Sequence, residues 1–172
     1  AQRIIEKGFE VVPPLLTPFF LQEFVNAIAQ KNMGLKSSKM PDFVLKSIYQ
    51  LIWRRQKKMN ALASKFRYYR PFTNIFEEAE AAKGVVSFAA QFGEGWLLPS
   101  DIISMVNQGV NNVASLQPFG CIANHIVSKG IEKKLKEKFP QLNLVSLDFD
   151  SGVSAVNVTN RLLLFLDSIN ES

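Results

Sequence analysis

The chain has 172 residues, is 47% hydrophobic and 20% charged, and carries a formal net charge of +5. This composition fits a single folded domain and excludes a disordered tail. No apolar run reaches the roughly 18 residues of a membrane span, and the stretch 11–20 holds prolines and no basic leader, so neither a membrane helix nor a signal peptide is expected. Basic residues are spread through helices and interleave with acids near Glu77, Glu80, Asp148 and Asp150, which argues against nucleic acid as a partner. The single cysteine, Cys121, excludes an internal disulfide and a metal site built only from this chain's thiols, and it fits a reducing cytoplasm.

In chain order, Arg3-Ile4-Ile5-Glu6-Lys7 reads as the end of a helix stopped by Gly8, so the expectation is a piece of a longer polypeptide. Residues 9–12 read as a short strand closed by Pro13-Pro14. Helical spacing of Phe20, Phe24 and Ile28 predicts a helix over 18–31, followed by a loop rich in Gly, Ser and Lys over 32–41. A long helix is expected over 42–66, where Leu45, Ile48, Ile52, Arg55, Met59, Leu62 and Phe66 alternate steps of three and four. The run Arg54-Arg55-Gln56-Lys57-Lys58 reads either as a solvated helix face or as a phosphate-binding patch. A short helix follows over 74–82.

The second half repeats one unit: strand 85–90 and helix 99–108, strand 113–116 and helix 124–138, strand 143–147 and helix 153–169. Three strand-loop-helix units at spacings of about 30 residues predict a parallel sheet covered by helices. The fold class is therefore α/β, one domain over 1–172, with a helical insertion at about 17–82 and core βα units over 84–172. In a parallel sheet the strand-to-helix loops share the carboxyl edge. That edge would gather Phe92-Gly93-Glu94-Gly95, Pro118-Phe119-Gly120-Cys121 and Asp148-Phe149-Asp150-Ser151-Gly152.

Cys121 and His125, the only cysteine and the only histidine, sit in the second loop and at the start of its helix. A thiol before a helix start suits metal ligation or nucleophilic attack, and a small buried hydrophobe is its plainer role. His125 reads as a base paired with Cys121 or as a structural histidine. Glu94 reads as an acid/base group or as a loop-capping carboxylate. Gly93-x-Gly95 lacks the last glycine of a dinucleotide fingerprint and there is no phosphate-cradling GxxxxGK[ST], so a Rossmann cofactor or a P-loop nucleotide is unsupported.

Taken together, Gly93-Glu94-Gly95-Trp96-Leu97-Leu98, Gln117-Pro118-Phe119-Gly120-Cys121-Ile122-Ala123-Asn124-His125-Ile126, Lys129-Gly130 and the segment from Val153 to Arg161 resemble the 2-hydroxyacyl-CoA dehydratase superfamily. The likeness is in particular to the C-terminal region of its large activase/dehydratase-related proteins, and it is strong over 84–167. It implies flavodoxin-like α/β units and an iron–sulfur cluster (four-iron four-sulfur) held by cysteine thiolates. That cluster would pass single electrons delivered by ATPase-type activator domains of the same polypeptide, in radical dehydration of an acyl-CoA substrate. On this likeness Cys121 is a cluster ligand, with Gly93, Gly95, Gly120 and Asn124 beside it and Glu94 and His125 lining the site. The remaining cysteine ligands would lie outside this sequence, and the piece alone would not catalyse dehydration. The alternative is a non-catalytic interaction or regulatory domain with a vestigial site, in which the seam over 42–66 binds a partner or a second copy.

Overall fold

The computed structural model describes residues 1–35, 40–91, 93–150, 152 and 155–170, the Ala155 side chain excepted. Parts of the expected loop 32–41, Phe92, Ser151 and the start of the helix expected from Val153 lie outside the described residues. Among these residues the elements are seven α-helices, one π-helical segment and two strands.

Helix α1 (Gln2–Glu6) is short, and α2 (Thr17–Asn32) carries Pro18 in its first turn, where no amide partner is needed. After α3 (Asp42–Ala63), helix α4 (Ile75–Ala82) is capped by Asn74, whose Oδ1 accepts the Phe76 amide at 3.0 Å. The Tyr49 hydroxyl of α3 donates to the same Oδ1 at 3.0 Å and accepts the Ile75 amide at 2.9 Å, so α3 is tied to the first turn of α4. These helices, with the start of α5 (Leu97–Asn107), enclose a core of Leu21, Val25, Tyr49, Ile75, Ala79, Trp96 and Leu97. Trp96 is fully buried, and its Nε1 donates to Asn26 Oδ1 at 2.7 Å. A second core joins α5 to the sheet through Ile102, Ile103, Val106, Val113, Leu135 and Leu144.

The sheet consists of β1 (Asn112–Pro118) and β2 (Asn143–Phe149), parallel, with Val113 opposite Leu144 and Gln117 opposite Asp148. Between them run the π-helix Ala123–Ser128 and α6 (Glu132–Lys138), and α7 (Ala155–Asn170) follows β2. Alternation puts Ser115 and Ser146 on the face carrying Val113 and Leu144. There the Ser115 hydroxyl lies 3.1 Å from that of Ser128, and the Ser146 hydroxyl donates to Glu132.

The α/β character and the parallel pairing of the strands expected at 113–116 and 143–147 are borne out. Other expectations are corrected. Residues 85–90 are turns, not a strand. Their amides go to local acceptors, Val85 and Val86 to the Ala82 carbonyl and Ala90 to that of Ser87, while the Ser87 hydroxyl takes the Ala89 amide. Val85 is buried and Phe88 packs edge-on to Trp96 at 5.3 Å, so the apolar run is covered without a ladder. Residues 9–12 also form no strand, since the following Pro13-Pro14 offers no amides for a ladder. The long helix ends at Ala63 rather than Phe66. The helix expected over 124–138 is divided at Ile131 into a first segment that holds the π-helix and a second, α6.

Candidate functional site

The carboxyl ends of β1 and β2 form the candidate site. The Phe119 amide donates to the carbonyl of Phe149, the last residue of β2, at 2.8 Å, extending the pairing one residue past β1. The chain then turns through Gly120, whose φ of +76° is the left-handed value that glycine adopts without strain. The turn closes with the Cys121 amide on the Pro118 carbonyl at 3.1 Å. Cys121 is thereby held half-buried at the sheet edge.

The Asn124 amide Nδ2 donates to Cys121 Sγ at 3.1 Å. Asn124 is itself buried, so this donor stays on the sulfur. The His125 Nδ1 lies 3.9 Å from Asp148 Oδ1, beyond hydrogen-bond reach, and its Nε2 is buried without a partner among the described residues. Asp148 is the centre of a cationic cluster, with Lys129 Nζ 3.4 Å from Oδ1 and Arg161 3.4 Å from Oδ2. Next to it on the same face of the sheet, Gln117 is fully buried, and among the described residues neither its amide oxygen nor its nitrogen has a partner.

The expected convergence of three loops is realised for two, the Cys121 turn and the Asp148 loop. The glycine loop follows no strand, yet it reaches the site from the side. A Cβ placed on Gly93 would sit 4.0 Å from the Ala123 Cβ, and the Gly93 carbonyl accepts from Gln22 Nε2 at 3.4 Å. Gly95 has another task. A Cβ there would lie 2.0 Å from the Ala90 carbonyl oxygen, because the Trp96 amide closes onto that same oxygen at 2.8 Å. Gly95 therefore shapes the loop that seats Trp96. The Glu94 carbonyl accepts the Leu97 amide at 2.6 Å, and among the described residues no hydrogen bond or ion pair links the Glu94 carboxylate to Cys121 or His125.

Sequence reasoning missed a pair of carboxyls on α4 and α5. Glu78 and Asp101 line one small cleft with Arg70, Thr73 and Gln108, with room for about one water in its ≈ 10 Å³. Burial pushes the Asp101 carboxyl up to about 7, with the Glu78 carboxylate adding to the rise and Arg70 opposing it. Burial also raises Glu78, whose Oε2 is buried without a partner among the described residues while the Thr73 hydroxyl donates to the carboxyl. The signal was present in the spacing: Glu78 falls within the buried stripe Ile75, Ala79 and Ala82.

No family model, no curated protein and no solved structure matches this chain. No helix among the described residues is long and apolar enough to cross a membrane. Among the same residues no group of three or more His, Cys, Asp or Glu side chains is placed to hold a metal ion.

Proposed function

We propose that this chain is the dehydratase-like part of a 2-hydroxyacyl-CoA dehydratase-related protein. In this reading it is a flavodoxin-like α/β unit that offers one thiolate, Cys121, to an iron–sulfur cluster. The observation that carries the reading is the placement of the only thiol, half-buried in the turn at the carboxyl edge of two parallel strands, with an amide donor on its sulfur.

Such clusters take about four cysteine thiolates, and this chain has one cysteine. Its donor set therefore fits a single ligand and cannot hold a cluster unaided, so the other thiolates must come from outside this sequence. When bound, the cluster would supply single electrons, delivered by ATPase-type activator domains, for radical dehydration of an acyl-CoA. The chain's own residues do the rest. Gly120 lets the backbone turn sharply enough to present the sulfur. Asn124 steadies it through the 3.1 Å contact, the kind of hydrogen bond that tunes sulfur ligands. Lys129 and Arg161 bring two cations to Asp148, and such cations suit anionic thiolates and an acyl-CoA's phosphates. A protein working with reduced thiols in this way belongs in the cytoplasm.

The test uses the full-length polypeptide purified without oxygen. Iron, sulfide and a visible charge-transfer spectrum are expected, and Cys121→Ser should diminish or shift that spectrum while the folded far-UV signal is retained. Absence of iron, together with a spectrum indifferent to Cys121→Ser, would sink the reading.

A further inference from the structure

Helix α3 has an outward face that nothing among the described residues covers. Its inward side is set by Tyr49 and Gln56, both buried. On the outward side Ile48, Met59 and Leu62 are 41%, 52% and 67% exposed, and Phe66 just beyond the helix is 73% exposed. With Arg55, and with Ile52 at the inner edge where it packs against the Leu21 and Tyr49 core, these residues step by four, three, four, three and four, the spacing of a seam that packs against another helix. A helix rises about 1.5 Å per residue, so the stripe from Ile48 to Leu62 offers a partner roughly two heptads of contact, with Phe66 just beyond.

Charge then selects the partner. α3 carries Lys46, Arg54, Arg55, Lys57 and Lys58 against one acid, Asp42, which is already paired with Lys31 at 2.7 Å. Lys65, Arg67 and Arg70 continue the run, and no acid occurs between Asp42 and Glu77. Lys58 and Lys65, seven residues apart, flank one edge of the seam, and Arg55 stands within it. A second copy of this chain would bring the same cations face to face. A membrane surface takes a broad apolar face with its cations at the margin, whereas here, even with Leu51 exposed beside the seam, the Arg55 guanidinium stands within the apolar stripe. A facing helix with acidic edges satisfies both the seam and its charges.

We propose that this face of α3 docks an amphipathic helix of another protein or domain, one whose apolar seam is flanked by acidic residues and sets a carboxylate opposite Arg55. The surface is independent of Cys121 and serves the protein whether or not that thiol ligates a cluster.

The test measures fluorescence anisotropy of a labelled synthetic helix of about three heptads, with leucine along its seam, glutamate at its flanks and a glutamate placed to meet Arg55. A peptide with the same seam and lysine flanks is the control. With the full chain, the acidic peptide should bind at least about tenfold tighter than the lysine peptide and weaken as salt rises. Leu62→Asp should cost at least about tenfold in affinity, as loss of an interface anchor does, with thermal unfolding unchanged because Leu62 is exposed. Arg55→Glu should weaken binding, and exchanging the facing glutamate for lysine should restore it. Equal binding of both peptides would overturn the proposal, as would no binding by the folded chain. So would tighter binding to phosphatidylserine vesicles or duplex RNA, or a dimer in solution that Leu62→Asp dissociates.

Discussion

Asp101→Asn should stabilise this protein most at pH 8 and only about a third as much at pH 5. Burial and the Glu78 carboxylate carry the Asp101 carboxyl from its ordinary 3.8 up to about 7 in the folded state. The folded protein therefore holds the proton more tightly than the unfolded chain between those values. Stability contributed by this group is fully present below about pH 4, falls as pH rises, and is lost once pH passes about 7. At about 1.4 kcal/mol per pH unit, the interval amounts to roughly 4 kcal/mol. Asp101 is only partly buried by surface area, and Arg70 offsets some of the penalty, so about 2–4 kcal/mol is the expected gain for the neutral isostere at pH 8. For a domain of this size that corresponds to a Tm increase of roughly 5–15 °C. Thermal unfolding of the native protein and the variant at both pH values measures it directly. Glu78→Gln provides an independent arm. It removes the neighbouring negative charge, so the pH-dependent loss of stability should move to lower pH. A native Tm that is flat between pH 5 and 8, or an Asp101→Asn protein less stable at pH 8, would refute the reasoning.

Other consequences are read by urea unfolding. Gly95→Ala forces a methyl against the Ala90 carbonyl and should cost about 3 kcal/mol or more, whereas Gly120→Ala meets open space and should cost only the left-handed strain of roughly 1–2 kcal/mol. If the two cost the same, the Ala90 contact is not what requires Gly95. Tyr49→Phe leaves the Ile75 amide unpartnered and takes a donor from the Asn74 cap, for an expected loss of about 1–3 kcal/mol. A neutral effect would mean that water replaces the hydroxyl at the start of α4. Gln117→Leu removes two partnerless buried atoms and should be neutral or up to about 1 kcal/mol stabilising. A loss of more than about 2 kcal/mol would show instead that the amide has a bound partner in solution.

The helices were legible because their signals are local. The steps of three and four in α3, the Asn74 cap of α4 and the first-turn Pro99 of α5 all lie within a few residues of what they determine. Strands β1 and β2 were legible for a similar reason, as short apolar runs bounded by turns. Residues 85–90 show the limit of that signal. An apolar run shows that side chains are to be buried but not that the backbone will find a ladder, and here Ser87 and the Ala82 carbonyl supplied nearer partners. At the candidate site, Asn124 at the start of the π-helix is three residues from Cys121 in the turn before it, a contact that spacing alone allows. The approach of His125 to Asp148 depends on strand register, and so does the pairing of Gln117 with Asp148. Glu78 and Asp101 meet only through the packing of α4 on α5, which no local pattern encodes.

The register also explains why Asp148 matters more than its energy suggests. Its side chain is about one-third exposed, and each of its contacts with Lys129 and Arg161 is a surface pair worth about 0–1 kcal/mol. Yet those contacts start from three different elements: the end of β2, the helical residue that follows the π-helix, and α7. Asp148 lies directly across from Gln117, four residues before Cys121. A carboxylate in that position constrains where the π-helix and α7 stand relative to the thiol, at little cost in stability because both cations keep water contact. Its contribution is therefore positional. Asp148→Asn should leave global unfolding within about 1 kcal/mol while raising amide exchange in the π-helix and around Cys121. A protein that unfolds outright on this change would show that the cluster is structural rather than orienting.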